Sequence, residues 1–395
     1  MRARVAIVAR LMPVKRPRHL RVVEFTNCFR VGGGEMQVLE LLRRLPPDFQ
    51  IFVHALDATG PLLERTRQLG YEPLIHALGP SLVHPTSLAE VVRLAQWLKT
   101  ERIDLVHAQD FYSTLLGVPA ARLAGVPVVV SRLDMVHWHG KARHVALAAA
   151  THAAHAVIAN CDAVRDLVVH RDRVAPERVV VIRNGLDIDR FDSIAKGPLA
   201  APLPDTGGAP VAALVANMHH EVKRQEDFLL ALTAARRGVP ALRAFLVGDG
   251  VRRPALERMA SDLGLSQVAF FLGGRPDVPA VLARCTLGVL CSLQEGLSNA
   301  VMEGMAAGLP MVVTDAGGNA ELVKDGERGH VVAARRPFAL AEAMLRMLAC
   351  PEGARRMGAA ARRFVEAELT LDRMIREHDR LYRLLASRTE GARAA

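Results

Sequence analysis

Residues 291–321 read CSLQEGLSNAVMEGMAAGLPMVVTDAGGNAE, and the succession of elements in this stretch decides the fold. The apolar run Leu287 to Cys291 leads into a loop that carries Glu295 and Gly296. A helix then opens at Ser298 or Asn299, either of which can accept from its first amides through a side-chain oxygen. That helix holds Glu303, is closed by Gly308 and Pro310, and hands over to a second strand, Met311 to Thr314. Strand, loop, helix start and strand make a half-site of the α/β type. An anion is expected on the first helical amides, at the positive end of the helix dipole. Glu295 and Glu303 flank it. Carboxylates repel a phosphate, so the pair is expected to accept hydrogen bonds from hydroxyl groups attached to that phosphate, as on a sugar or a ribose.

Outward from this stretch the same rhythm repeats. Strands are expected at Leu20 to Cys28, Ile51 to Leu56, Leu74 to Leu78, Ile103 to His107, Val126 to Val130, Ala156 to Ala159 and Val179 to Ile182, each followed by a segment of helical length. Between Ile194 and Pro210 the composition shifts to Pro, Gly and Ala, which marks a linker. Strands resume at Val211 to Ala216, Arg243 to Val247, Val268 to Leu272 and, after those of the opening stretch, His330 to Val332. Alternating strands and helices predict parallel sheets with ligands outside the carboxyl ends of the strands. The expected organisation is a basic extension over 1–19, a first domain over 20–193, a linker over 194–210, a second domain over 211–370 and a helical segment over 371–395.

Glu295 and Glu303, with seven residues between them, and the run EGLSNAVMEGMAAGLPMVVTDAGGNAELV around them resemble the donor site of retaining glycosyltransferases of family 4. The resemblance implies the GT-B fold: two doubly wound, Rossmann-like α/β domains facing a central cleft, with the last helix crossing back to the first domain. In that family the first glutamate faces the transferred sugar, the next amides hold the diphosphate and the second glutamate binds the ribose. Carried over, these are Glu295, the amides of Gly296, Leu297, Ser298 and Asn299, and Glu303. Gly32, Gly33 and Glu35 match the family's Gly-Gly-x-Glu loop, which implies Gly33 beside the donor phosphate and Gly34 and Glu35 on the acceptor side; a tight turn alone would also ask for glycine here. Lys223, in VANMHHEVKRQED, matches the lysine that stabilises the departing diphosphate. Asn217 stands where the family commonly has arginine, so Arg224 or a protonated His219 would have to supply the missing charge. Gly248, Asp249 and Gly250 resemble the family's Gly-Asp-Gly turn, and Phe271 to Arg275 is expected beside the nucleobase. Asn184, Gly185, Leu186 and Asp187 resemble its Asn-Gly-x-Asp exit turn. In the first domain Leu133 occupies the position where many relatives place a histidine. Arg132 and Asp134 are the remaining polar candidates for a catalytic role, and His107 is expected on the acceptor side.

Composition narrows the rest. A chain of 395 residues that is half hydrophobic can bury two cores. The net charge of +10 suits anionic partners, but no reading helix and no basic–aromatic interleaving supports nucleic acid. Cys28, Cys161, Cys285, Cys291 and Cys350 are scattered with no CxxC pair, as in a reducing compartment. No run has the shape of a signal peptide, and the Ala-rich tract Val145 to Cys161 is expected to be a helix passing into a strand. His137, His139, His144, His152 and His155 cluster without a supporting carboxylate or cysteine, so no metal is expected. The expected activity is retaining transfer of a sugar from a nucleotide sugar, a UDP-sugar first, to a glycolipid or lipid-linked saccharide in bacterial envelope polysaccharide or lipopolysaccharide synthesis. The expected location is the cytoplasm, peripherally on an anionic inner-membrane surface that the extension before Leu20 would meet. The alternative is a GT-B protein that binds a nucleotide sugar without transferring it.

Overall fold

The structure, a computed structural model, describes residues 19–79, 81, 84–135 and 140–394. The extension up to Arg18, and His137 and His139, thus lie outside the described residues. The chain forms two units. One takes the described residues up to Arg183 together with those from Asp372 on, and the other is Asn184–Leu371.

The first unit is built on β1 (Leu20–Thr26), β2 (Phe49–Ala55), β3 (Leu74–Ile75), β4 (Leu105–Ala108), β5 (Val128–Arg132), β6 (Ala156–Ala159) and β7 (Val179–Val181). The second is built on β8 (Val211–Val215), β9 (Arg243–Val247), β10 (Ala269–Gly273), β11 (Leu287–Leu290), β12 (Met311–Thr314) and β13 (Gly329–Val332). The sheets run β3-β2-β1-β4-β5-β6-β7 and β10-β9-β8-β11-β12-β13, and the pairings are parallel throughout. Both are doubly wound, with the order reversing between β1 and β4 and between β8 and β11, where such sheets bind ligands. Each strand falls within a residue or two of its expected place, except that β3 stops at Ile75.

The strands are near-continuous apolar runs because helices cover both faces. On one face of the first sheet Val23, Phe25, Val106, Val128 and Val130 pack under Leu94 and Leu98 of the helix Pro85–Thr100 and Leu116 and Ala120 of the helix Phe111–Ala124. Val38, Leu39 and Leu42 of the helix Gly33–Arg44 pack separately with Val53 and Ala55.

The boundary at Arg183 comes ten residues before the expected 193. The helix Ile188–Lys196 belongs to the second unit, where it packs on the helix Val278–Leu282. Its Asp192 accepts from the two terminal guanidinium nitrogens of Arg362, at 2.7 and 2.8 Å. The long helix Leu371–Ala394 returns to the first unit, and the reason is polar as well as apolar. Parallel register sets Glu24 of β1 beside His107 of β4. Tyr382 donates to Glu24 Oε1 at 2.6 Å, Gln109 donates to Glu24 Oε2 at 2.7 Å, and His107 lies 2.5 Å from the Tyr382 hydroxyl and 2.7 Å from that of Ser131. Burial works to raise the Glu24 carboxyl, but the charge of His107 and the hydrogen bonds from His107, Tyr382 and Gln109 outweigh it and hold it below its ordinary value.

A second buried polar group lies under β2 and β3. His76 Nδ1 donates to Glu90 at 2.5 Å while its Nε2 takes His54 Nδ1 at 2.9 Å, and Arg93 pairs with the same carboxylate. Burial, then the neighbouring His76, pushes His54 down to about 3; burial, then Arg93, pushes His76 down to about 4; burial, then His107, pushes His378 down to about 4. Unfolded histidine titrates near 6.5, so below that pH the unfolded chain takes up protons that these three positions refuse in the fold. Their stabilisation is complete above about 6.5 and is lost as the pH falls toward 4. Urea-unfolding midpoints should therefore fall over this window, and His76→Gln should remove part of the slope. A wild-type midpoint unchanged across the window would contradict these burials.

Candidate functional site

The loops leaving β8 and β11 meet at the reversal of the second sheet. After β8 the chain passes Asn217, makes a single 3-10 turn over Glu221–Lys223 and enters the helix Gln225–Ala235 through Arg224. Arg224 sits in the left-handed region, with φ of 51°. This is a conformation that a residue with a Cβ holds only when its surroundings enforce it. Here they do. Cys291, at the end of β11, donates its thiol to the Arg224 carbonyl at 2.9 Å, the Leu293 amide donates to the Val222 carbonyl at 2.7 Å, and the Arg224 guanidinium is forked on Asp227 at 2.7 and 3.0 Å. Burial raises the Cys291 thiol far above its usual value, so it stays protonated and keeps donating.

The clamped turn delivers Lys223 to Glu295. Lys223 Nζ donates to Glu295 Oε1 at 2.6 Å, and Ser292 Oγ donates to the same oxygen at 2.6 Å. Ser292 is held in turn by Thr314 at the end of β12, which donates to its carbonyl at 2.5 Å. One carboxylate oxygen is thus doubly bound, while neither contact occupies the other.

Just beyond, Ser298 caps the helix Asn299–Ala306 by accepting from the Val301 amide. Asn184 donates to the Leu297 carbonyl at 3.3 Å and to Asn299 Oδ1 at 2.7 Å, and the Gly318 amide donates to the Gly296 carbonyl. These bonds fix the loop that leads into the helix start. Glu303 follows one turn on. It retains intermediate exposure, yet it is crowded enough that burial alone, with no neighbouring charge, pushes its carboxyl up to about 7. A carboxyl raised by desolvation beside a helix N-terminus marks a candidate binding site.

The loop after β9 completes the half-site. Gly248 has φ of 134°, and a Cβ there would lie 2.0 Å from the Ala216 carbonyl oxygen, so only glycine lets β9 leave beside β8. Its amide bonds the Gly273 carbonyl at the end of β10.

Several residues singled out from sequence have other work. Arg275 is forked on Asp277 and bonds the Ala201 carbonyl, pinning the linker, so it is not presented to a donor; what remains there is the backbone up to Gly274. Arg224 is held by Asp227 and does not replace the charge missing at the exposed Asn217, which leaves exposed His219. In the first unit Arg132 is buried and ion-paired with buried Asp172 at 2.6 Å, an arrangement that holds the segment after β6 and not a substrate. His107 is fully enclosed by Tyr382 and Ser131, so it cannot touch an acceptor. His144 pairs with Asp172, His152 bonds the Asp172 carbonyl, and His155 accepts from the Val128 amide. Asp134 follows β5 with intermediate exposure. Gly33 opens its helix, and a Cβ on Gly34 would meet Leu133 at 3.2 Å, so the glycine loop and the loop after β5 are neighbours. Glu35 lines a small cavity with Cys28, Phe29 and Leu39, and burial, followed by the charge of Asp110, raises its carboxyl. The sequence reading missed Ser292, Cys291, Thr314 and Asn160, whose side chain holds the Leu133 carbonyl at 3.1 Å.

Both halves of the chain resemble known proteins. Residues 31–190 match the family described as Glycosyltransferase Family 4, and residues 209–350 match that described as Glycosyl transferases group 1. The chain is 29% identical over 271 residues to the Escherichia coli UDP-Gal:alpha-D-GlcNAc-diphosphoundecaprenol alpha-1,3-galactosyltransferase, covering 64% of this chain and 69% of the relative. It is 28% identical over 381 residues to the D-inositol 3-phosphate glycosyltransferase of Streptomyces griseus, covering 84% and 80%. In fold it resembles Anabaena Alr3699/HepE, solved in complex with UDP, with a TM-score of 0.80 at 21% identity over 92% of this chain and 99% of that one.

Glu303 gives a ligand-free test of the site. Its folded value near 7 lies above that of an unfolded glutamate, so its contribution is full at low pH and is lost as the pH rises through about 7. Glu303→Gln should melt higher than the wild type at pH 8 and show little difference near pH 4.5. Equal shifts at both pH values would show that Glu303 is not held against ionisation.

Proposed function

We propose that this chain, which belongs to glycosyltransferase family 4, moves a sugar from a nucleotide sugar to a hydroxyl of a glycolipid or lipid-linked saccharide, with retention at the anomeric carbon. The observation that carries the reading is the juxtaposition of Lys223, Glu295 and the capped start of the helix Asn299–Ala306 at the carboxyl ends of β8 and β11. A cation and a helix N-terminus suit a diphosphate, and carboxylates beside them suit hydroxyls.

In this reading the diphosphate lies on the amides of Gly296 to Asn299 and takes Lys223 from Glu295. Glu303 accepts from the ribose, and Glu295, held by Ser292, turns its free oxygen to the sugar. The bond between the anomeric carbon and the phosphate oxygen breaks with its electron pair leaving on the nucleoside diphosphate, where Lys223 and the amides stabilise the developing charge. The acceptor oxygen bonds the anomeric carbon on the face the diphosphate vacates, and its proton passes to the departing phosphate oxygen. No double displacement through an enzyme carboxylate is invoked. A UDP-sugar is the first donor to try, because UDP is the nucleotide in the names of the E. coli relative and of the Anabaena complex. An undecaprenyl-type carrier, named for the E. coli relative, is the corresponding acceptor to try, and in this reading the reaction belongs to bacterial envelope polysaccharide or lipopolysaccharide synthesis at the cytoplasmic face of the inner membrane. Among the described residues no helix is long and apolar enough to cross a membrane.

A thermal-shift panel of nucleoside diphosphates and their sugars tests the donor, since a ligand of the folded state raises its stability by mass action. A buried hydrogen bond to a charged group contributes about 1.5–3 kcal/mol, so Glu303→Ala should raise the dissociation constant of the free nucleoside diphosphate about ten-fold or more. Glu295→Gln should bind that diphosphate at least as tightly as the wild type, because Lys223 is no longer held in an ion pair, and should lose turnover. Unchanged affinity in Glu303→Ala, or full turnover in Glu295→Gln, would reject the assigned roles.

A further inference from the structure

Three helices lie side by side on one face of the first sheet: Pro85–Thr100, Phe111–Ala124 and Lys141–Ala153. They are 16, 14 and 13 residues long and contain a single acid, Glu90, which is buried and paired with His76 and Arg93. A chain with 41 acids in 395 residues would ordinarily place several on so long a stretch. Exposed cations occur on all three, as Arg93 and Lys99, Arg122, and Lys141 and Arg143. So do exposed aliphatics: Leu88, Val92, Leu123 and Val145 are 49–66% accessible. A lone exposed leucine means little, but aliphatics and cations spread over three neighbouring helices with no exposed acid are a surface of one character.

We infer that this helix layer is the surface by which the protein docks on an anionic lipid bilayer. Cations meet the headgroups, and the short aliphatics enter the boundary beneath them without spanning it. Nucleic acid fits less well. Its bases ask for exposed aromatic faces, whereas Phe111 is buried and Trp97 is tucked against Phe52 and His54. The inference deepens the proposed reaction by naming the surface that would meet a lipid-borne acceptor. Vesicle binding is measured without either substrate, so its failure and the failure of the transferase reading are separable.

The test is flotation of the full chain with vesicles of phosphatidylcholine, with and without phosphatidylserine, across a salt series. A cation near such a surface multiplies partitioning about five-fold, so Lys141→Glu with Arg143→Glu should weaken binding to the anionic vesicles more than about ten-fold. Arg355→Glu with Arg356→Glu makes the same change of charge at exposed positions of the second unit and should change binding by less than about two-fold. A cooperative melting transition within a few degrees of the wild type, measured without ligand, shows that both variants are folded. Undiminished binding of the first variant, as when the segment before Leu20 carries the attachment, overturns the inference. So does an equal loss in both variants, which would mean net charge alone. Absence of vesicle binding together with salt-sensitive binding of a homopolymeric RNA would reassign the face to nucleic acid.

Discussion

The second unit turns on a contact between two loops that lie about seventy residues apart in sequence: the thiol and amide of the β11 exit holding the carbonyls of the β8 exit. Without it Arg224 would have no reason to stay in the left-handed region, and Lys223 would be a lysine on a flexible turn. With it, ammonium, carboxylate and helix start are fixed relative to one another before any ligand arrives, which is how a site offers charge stabilisation without reorganising. The Ser292 and Thr314 hydroxyls extend the same logic to a third strand.

The first unit depends on a different kind of contact. Glu24 and His107 lie on a sheet face that would be apolar in most parallel sheets, and they are tolerable only because Tyr382, Gln109 and Ser131 satisfy them. Such a network specifies one docking of the helix Leu371–Ala394 more sharply than an apolar patch would, since a slip of the helix takes the Tyr382 donor away from one oxygen of a buried carboxylate.

Much of this was legible in the sequence, for local reasons. Parallel strands buried on both faces are written as short apolar runs, and glycine, proline and a capping serine mark where they stop. Ser298, Glu303 and Gly308 could be read within a single helix. The partners were not legible. Lys223 finds Glu295, and Asn184 finds Asn299 more than a hundred residues on, through sheet order that no local pattern encodes. Arg132 and His107 looked available because they close strands in polar text, and only the fold reveals Asp172 and Tyr382 beside them. Arg275 is the exception, since its partner Asp277 stands two residues away and the fork between them had a local signal.

The Tyr382 contact also sets an order of events during synthesis. The ribosome releases β1 and β4 long before the residue that covers them. Until Tyr382 emerges, Glu24 and His107 face solvent or a chaperone, and the unit begun before the second is completed after it. The intervening second unit is a compact body over Asn184–Leu371, so it can close in the meantime. The order in which the chain is written is therefore not the order in which its halves become native.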